Sequence, residues 1–476
     1  MTQTYTKKSI CWFCKGRCGV SVDVHDGRLH GIELDKDYPE FAGSFGRGCR
    51  NLRLRYAVDW FYGNNRLNYP MKRAGKRGEN RWTRISWQKA FDEISARLRE
   101  MRDTEGPESL ATSKGDDWTH SEYETRFMNL FGSPNVTGVS PICWGPRAIV
   151  SEAIFGWHPI YSVRPNTRCI IMLGVNPEIG RPVLVNATRA AIKQGAKIIT
   201  LDPQRTSIAE KSDLWLQIKP GTDAAVLLAM INHIIEKDLY DKTFVTRWCH
   251  GFQELRKRVA SYTLAYAESV SGVSGDDIAR AAEIYADNRP GIVFEGMGVE
   301  QQTNSAQIIQ ARCILAAITG NVDVEGGEEL DGPHPDFVSD RSIERLDMMS
   351  DEQKKRQIAY DRFRLHSWPG QDLMNDVISS FYGQRGGPHW YLGQAHLPSL
   401  YHAVISGEPY PIKAMIASAS NPMVSHPDTA LVYSALKKLE LLVVMDLCWT
   451  PTAQLADYVL PATSGPIHNR LCSMFL

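Results

Sequence analysis

Apolar and polar residues alternate from Val20 to Val24 and again from Leu29 to Leu34, with His25-Asp26-Gly27-Arg28 between the two runs. Period-two alternation around an Asp-Gly pair predicts a β-hairpin. At Ser86 the period changes. Phe91, Ile94, Leu98 and Met101 recur at helical spacing behind a serine suited to cap the first turn, which predicts a helix with these four residues inward. Farther on, Cys169 to Leu173 is a short apolar run that ends in Gly174-Val175-Asn176-Pro177. A helical segment broken by Gly195 follows, and then a second apolar run from Lys197 to Asp202. Strand, crossover and strand within roughly thirty residues make a βαβ unit, whose strands pair in parallel. Thr222 is expected to cap a helix that turns Val226, Leu227, Met230, Ile231 and Ile234 inward. Ile292 to Glu295 is a further strand, leading through Gly296 and Gly298 to a helix that stops at Gly320-Asn321.

The same order returns toward the C-terminal end. Lys413 to Ala417 reads as a strand, Ser420-Asn421-Pro422 as a turn, and Leu441 to Asp446 as the partnering strand. Each unit thus runs strand, turn ending in Asn-Pro, helix, and second strand closing on Asp. The fold class that follows is α/β: a small β-rich N-terminal domain and two related Rossmann-like α/β domains with parallel sheets, each offering a turn to a similar nucleotide-like ligand. Expected boundaries are residues 1–66, a discontinuous α/β domain of 67–140 and 331–464, a second α/β domain of 141–330, and a tail of 465–476. Residues 330 to 410, rich in Gly, Pro, His and aromatic residues, are expected to be irregular, with Phe381 to Trp390 a loop lining a site or bridging domains. The Lys-, Arg- and Gly-rich stretch from Lys72 to Arg81 is expected to be an exposed loop, too short and too poor in aromatic residues for nucleic acid.

Composition narrows the class. The chain has 476 residues, 43% hydrophobic and 23% charged, with Lys+Arg and Asp+Glu both 54. That is enough chain for about two to four globular domains, without the positive field that draws nucleic acid. No apolar run reaches the length of a membrane span. The first ten residues are too short and polar for a secretory signal. With thiols arranged for a metal, this favours the reducing cytoplasm.

Four of the ten cysteines, Cys11, Cys14, Cys18 and Cys49, are spaced C-x2-C-x3-C-x30-C. Four soft thiolates suit tetrahedral zinc or an iron–sulfur cluster. Zinc sites of this kind usually pair two C-x2-C knuckles, and the second knuckle is missing here. A three-thiol loop closed by a distant Cys49, which the hairpin brings back, fits a 4Fe–4S cluster better. Cys169, Cys313 and Cys448 lie in or beside apolar segments and read as structural, as does Cys249, which has no partner spacing. Neither G-x-G-x-x-G nor a Walker A sequence is present. In their place stand Gly174 to Pro177, Leu201-Asp202-Pro203-Gln204-Arg205-Thr206, and Pro220-Gly221-Thr222-Asp223, at strand ends or helix starts, where open α/β sheets bind ligands. Backbone N–H groups at the Thr222 helix start suit a phosphate, and Arg205 a bidentate clamp. Asp202 and Asp223 suit ribose hydroxyls or guanine-type amines. Any one of these alone reads equally as a turn or a helix cap; their order is what is specific.

On these motifs the chain resembles the molybdopterin-dependent oxidoreductases of the dimethyl sulfoxide reductase family, from Cys11 to about Ser464. Further matching segments are Arg84-Ile85-Ser86-Trp87-Gln88-Lys89-Ala90, Gly296-Met297-Gly298, Gly320-Asn321, Ser420-Asn421-Pro422 and Ala456 to Thr463. The resemblance implies a molybdenum or tungsten bis(molybdopterin guanine dinucleotide) cofactor, one pterin dinucleotide per α/β half, and a 4Fe–4S cluster on the four N-terminal cysteines. It implies cofactor contacts at Gly174, Asn176, Asp202, Arg205, Gly221, Thr222, Asp223, Gly296, Gly298 and Asn421. Cys143, in Ser140-Pro141-Ile142-Cys143-Trp144-Gly145-Pro146, would be the protein ligand of the metal, with Trp144 and Arg147 beside it. The implied activity is two-electron oxidation or reduction of a small-molecule substrate, the cluster passing electrons to an iron–sulfur partner subunit. Four departures stand out. Asn51, between Arg50 and Arg53, replaces the lysine that usually follows the fourth cluster cysteine by two places. Trp144 replaces the histidine of formate-oxidising members, which argues against formate. Lys15 replaces the aspartate of a non-redox hydratase member, the alternative reading, so that reading loses its expected acid. Finally, Gly465 to Leu476 matches nothing in the family, whose members continue into a β-barrel domain; on that expectation the chain is truncated and inactive alone. A second alternative, a cofactor-less electron-transfer subunit, is disfavoured by Cys143 and the retained turns.

Overall fold

A computed structural model describes residues 4–11, 19–35, 56–115, 121–160, 162–180, 182–330, 332, 340–383 and 393–462. Its strands are β1 Thr4–Ile10, β2 Gly19–His25, β3 Arg28–Leu34, β4 Met71–Arg73, β5 Trp82–Arg84, β6 Leu110–Lys114, β7 Pro159–Ile160, β8 Cys169–Leu173, β9 Lys197–Leu201, β10 Leu214–Leu216, β11 Gly291–Glu295, β12 Glu329–Leu330, β13 Ala414–Ser418, β14 Leu441–Asp446 and β15 Tyr458–Pro461. The fold is α/β, with a small β-rich region at its N-terminal end, as the hydrophobic pattern predicts.

That region is a three-stranded antiparallel sheet in the order β1-β2-β3. The β2–β3 turn places Asp26 at φ +49° and Gly27 at φ +74°, the paired left-handed conformation that matches the twist of a two-residue hairpin. β1 was not expected from its polar pattern; its outer positions are exposed, and register with β2 from Thr4↔His25 to Ile10↔Gly19 holds it.

Two larger sheets carry the rest. One is four-stranded in the order β10-β9-β8-β11, all parallel; the other is six-stranded in the order β5-β4-β15-β14-β13-β6, parallel from β15 to β6. Every residue of β8 is buried, and its side chains divide between two cores. Cys169, Ile171 and Leu173 join one with Val226, Met230 and Ile234, whereas Ile170 and Met172 join another with Ile198, Ile292 and Phe294. The six-stranded sheet divides likewise, Met415, Leu442 and Val444 on one face and Ala414, Leu441 and Val443 on the other. Burial on both faces explains why these strands read as continuous apolar runs.

Its helices include α1 Trp87–Glu105, α2 Gly145–Phe155, α3 Asp223–Glu236 and α4 Ser305–Ile318. Ser86 caps α1 by accepting from the Lys89 N–H at 3.2 Å, and Ala90, Ile94, Leu98 and Met101 face inward. Phe91 does not. It is exposed and stacks on Trp87, because the buried stripe passes one position to its side. In α3 the five expected apolar residues are buried, but the Thr222 hydroxyl donates to the Lys219 carbonyl at 2.6 Å instead of capping the helix. The expected irregularity of residues 330 to 410 is overturned by two helices, Trp368–Tyr382 and Leu397–Ser406. Each carries a proline in its first turn, a position that starts helices. Of the predicted loop at Phe381 to Trp390, residues 384–390 lie outside the described residues, as does the 465–476 tail.

The Lys72 to Arg81 stretch is also more than an exposed loop. It is the connection of the β4–β5 hairpin, and Arg73 and Arg77 both pair with Asp457, whose second oxygen also accepts from the Leu442 N–H. Arg77 donates further to the carbonyls of Leu436 and Leu439. Removing one member of a buried pair leaves a desolvated charge at a cost of about 3–5 kcal/mol. Asp457→Ala is therefore expected to lower unfolding free energy by that order in denaturant titration, and Lys76→Ala, in the same hairpin without such a pairing, to leave it nearly unchanged.

Candidate cofactor site

Parallel strands end at the same edge of a sheet, and the predicted site residues collect at two such edges. At the first, β8 gives way to Gly174, at φ +58°, whose N–H donates to the Leu201 carbonyl at 2.9 Å. Gly296, after β11, donates to the Leu173 carbonyl at 2.9 Å, and Gly298 to the Gly174 carbonyl at 3.3 Å. A Cβ on Gly296 would overlap the Gly174 carbonyl and Val175, and one on Gly298 would fall 2.9 Å from the Gly174 carbonyl oxygen. These glycines let two strand ends touch backbone to backbone. Asn176 accepts from the Glu178 N–H at 3.2 Å, and Asp202 from the Gln204 N–H at 2.8 Å, so both shape their own turns. Arg205 is exposed, 3.8 Å from Glu210.

Beside them, Gly221 takes φ +89° ahead of α3, and a Cβ there would meet only the Gln302 Oε1, at 3.9 Å. Asp223 opens α3 and is buried. Burial holds its carboxyl above the usual range, with the nearby Asp202 charge adding and the Gln302 amide, donating at 3.0 Å, opposing. Two residues that pattern reading missed complete this edge. Gln302 Oε1 and Asn304 Oδ1 are buried without hydrogen-bond partners, while their amide nitrogens reach Asp223, Gly298 O and Gly221 O. The polar run Gln301-Gln302-Thr303-Asn304 after Gly298 was the signal available. Unsatisfied buried acceptors call for a donor. An edge of carboxylates and amide oxygens over an open glycine fits a guanine-type amine and ribose hydroxyls, which is what a pterin guanine dinucleotide presents.

At the second edge, Asn421 accepts from the Thr452 hydroxyl at 2.7 Å, and Ser420 and Ser113 hydroxyls meet at 3.0 Å. Asp446 accepts from the Leu447 N–H at 2.6 Å and the Thr450 hydroxyl at 3.2 Å; burial raises its carboxyl. Arg66 donates to the carbonyls of Leu447 and Ala462 and lies over the Phe61 ring, tying the β14 and β15 ends to the N-terminal region.

Cys143 is half-buried and follows a single 3-10 turn, Ser140–Ile142; α2 begins at Gly145. A helix start favours negative charge beside it, and so a metal-binding thiolate. Gln394 donates to the Ser140 hydroxyl at 2.8 Å from behind. Trp144 is buried with its ring edge-on to His158 at 4.9 Å; His158 stacks on Trp157 and bonds Glu152 at 2.9 Å. Burial and the Arg147 charge push His158 down to about 3. Arg147 points into the protein, 3.0 Å from Glu300 and 3.5 Å from Glu295; Arg312 pairs with Glu295 and with Glu328. Burial lifts Glu328 to about 7, Arg312 opposing and Glu295 adding. Of the cluster cysteines, Cys11 is buried at the end of β1 among Val20, Val22 and Leu29; Cys14, Cys18 and Cys49 lie outside the described residues, as do Lys15, Arg50, Asn51 and Arg53.

Fold and edges together are those of an α/β protein with a parallel four-stranded sheet and a mixed six-stranded sheet, of the kind that bind ligands at the ends of parallel strands. The molybdopterin oxidoreductase family model matches residues 66–465, and that of the molybdopterin oxidoreductase Fe4S4 domain matches residues 4–51. The chain belongs to the molybdopterin oxidoreductase family. Acetylene hydratase of Syntrophotalea acetylenica is 39% identical over 462 residues, 96% of this chain and 62% of the relative. Formate dehydrogenase H of Escherichia coli is 28% identical over 97% of this chain and 62% of the relative, and a thiosulfate reductase molybdopterin-containing subunit of Salmonella typhimurium 28% identical over 96% and 58%. The solved acetylene hydratase from Pelobacter acetylenicus superposes with a TM-score of 0.87 at 34% identity, covering 96% of this chain and 62% of that one. The chain spans less than two thirds of the length of these relatives.

Two outcomes follow from this geometry. Gly296→Ala, which forces a side chain onto a carbonyl, is expected to cost about 1–3 kcal/mol, and Gly221→Ala, strained in φ alone, about 1–2 kcal/mol; thermal denaturation compares them. Glu328 keeps its proton in the folded state up to about 7, against 4.5 for an ordinary glutamate, so it stabilises fully below 4.5 and loses that contribution as pH rises through 7. Neutral His158 acts oppositely, its contribution appearing as pH rises from about 3 toward 6.5. The parent is therefore expected to lose on the order of 3 kcal/mol of unfolding free energy relative to Glu328→Gln between pH 4.5 and 8, measured by urea titration at each pH.

Proposed function

We propose that this chain is the catalytic part of a molybdenum- or tungsten-dependent oxidoreductase that exchanges electrons between a small-molecule substrate and a 4Fe–4S cluster. The observation that carries the reading is the joint presence of a cysteine turn at a helix start and an acceptor-rich edge that suits a guanine dinucleotide. Bound there, the metal–pterin group supplies two-electron chemistry and the cluster single-electron relay. The protein's own work is positional. Cys143 supplies the metal's thiolate, with Trp144 and Arg147 around it; Asp202, Asp223, Gln302 and Asn304 accept from base and ribose; Gly174, Gly221, Gly296 and Gly298 keep the strand ends close; Asn176, Thr222 and Asn421 hold the turns, and Arg205 faces a phosphate. Cys11, Cys14, Cys18 and Cys49 bind the cluster. Trp144 and the neutral His158 behind it keep water from one side of the Cys143 turn.

We place the protein in the cytoplasm, working with an iron–sulfur electron-transfer subunit; a relative from Methanocaldococcus jannaschii is itself a formate dehydrogenase subunit alpha. A second reading, hydration without net redox, is favoured by the 39% identity to an acetylene hydratase and weakened by Lys15 in place of the hydratase's acid.

Elemental analysis of anaerobically purified protein, made as this chain and as a longer chain extended with the C-terminal region of a relative, tests the reading. Four irons per chain with stoichiometric molybdenum or tungsten are expected, and Cys143→Ser is expected to lose most substrate turnover while keeping its iron. Iron alone in the extended protein would make it an electron-transfer subunit. Turnover of a substrate without electron exchange with viologen dyes would select the hydratase reading.

A further inference from the structure

Arg147 stands one helical turn beyond Cys143, yet its guanidinium is spent inside the molecule. Glu300 lies 3.0 Å and Glu295 3.5 Å from it, and none of the three side chains is more than 1% exposed. Glu295 ends β11 and Glu300 ends the short helix Met297–Glu300, so both carboxylates flank Gly296 and Gly298. Farther along α2, the Ser151 hydroxyl meets the Cys313 thiol of α4 at 3.6 Å, and α2 packs along α4. The turn that carries Cys143 is one 3-10 turn, in which the Cys143 N–H donates to the Ser140 carbonyl at 3.1 Å, followed by Gly145 and Pro146.

We propose that Glu300 and Glu295 are positioning residues that act through Arg147 to fix the Cys143 turn against the Gly296–Gly298 segment, so that the thiol and the nucleotide edge keep one spacing. The proposal deepens the reading of Cys143 as metal ligand and rests on it. A metal ligand must be held to within about half an ångström by groups that are themselves held, and two buried carboxylates ion-paired with one guanidinium hold it, because separating either charge from it would leave that charge desolvated. The far end of the network, where Glu328 holds Arg312, supplies an internal control, because Glu328 has no contact with Arg147 among the described pairings.

The test is native-state alkylation by iodoacetamide of the full chain expressed without molybdate or tungstate, read at Cys143 by peptide mass spectrometry against the buried Cys169 and Cys313. Glu300→Gln and Arg147→Met are expected to speed alkylation of Cys143 about tenfold, with Arg147→Lys between them and the parent. Glu328→Gln is expected to leave the Cys143 rate unchanged while altering stability. In cofactor-loaded protein the first two variants lower kcat with KM little changed. A parent-like Cys143 rate in both Glu300→Gln and Arg147→Met, or an equal rise in Glu328→Gln, overturns the proposal. Should Arg147→Met not fold, Glu300→Gln and Arg147→Lys carry the test, and parent-like rates in both overturn it. Metal content of Cys143→Ser checks the ligand reading separately, since the alkylation rate is measured without metal.

Discussion

Backbone contact between neighbouring parallel strand ends is the constraint on which the rest depends. In the four-stranded sheet Gly296 lies against the Gly174 carbonyl. In the six-stranded sheet Gly115 lies against the carbonyl of Ala419, itself at φ +49°, and donates to Ser418 at 2.9 Å. Neither place admits a side chain. Because the strands are parallel, each chain must cross over before it returns, and its turns open at the same edge. Close contact at one pair of strand ends pushes the adjoining turns outward, which leaves the crevice where such sheets bind their ligands. Geometry imposed by backbone packing thus comes first, and recognition is added by the few side chains that line the opening.

Buried charge serves this arrangement in both halves. Asp457 gathers two arginines from the β4–β5 hairpin against β15, and Glu295, Glu300 and Glu328 gather Arg147 and Arg312 around β11. Apolar residues of equal volume would stabilise such places as well or better. What ions add is intolerance of any other arrangement, since a shift that separates one charge from its partner leaves it desolvated. Each network joins segments far apart in sequence: Asp457 at the starts of β14 and β15, and Glu295 at the end of β11, beside the ligand-facing edge.

The strands were legible because burial on both faces turns a parallel strand into an unbroken apolar run, as in Cys169–Leu173 and Leu441–Asp446. The hairpin was legible because its two turn residues need left-handed backbone. The helix Trp368–Tyr382 was not, for Pro369 and Gly370 resemble loop formers; yet the proline starts the helix, and the glycine fits where a Cβ would overlap the Leu365 carbonyl. At the site, turns were visible as motifs, whereas Gln302, Asn304 and the partners of Arg147 were not. Their meaning lies in contacts across long sequence separations, and nothing local distinguishes a buried Glu300 from a solvated one.

The two related edges, finally, are alike in fold and unlike in chemistry. Asp202 and Asp446 close equivalent strands, and Asn176 and Asn421 open equivalent turns. Around the first pair, amide oxygens of Gln302 and Asn304 remain unsatisfied beside an open glycine. Around the second, Asn421 is taken by Thr452, Asp446 by its own backbone and Thr450, and Arg66 by two strand-end carbonyls. Among the described residues, the first edge keeps unsatisfied amide oxygens, whereas the polar side chains of the second, Asn421, Ser420 and Asp446, are already paired within the chain. The two units share strand-end geometry and differ in the side chains placed at it.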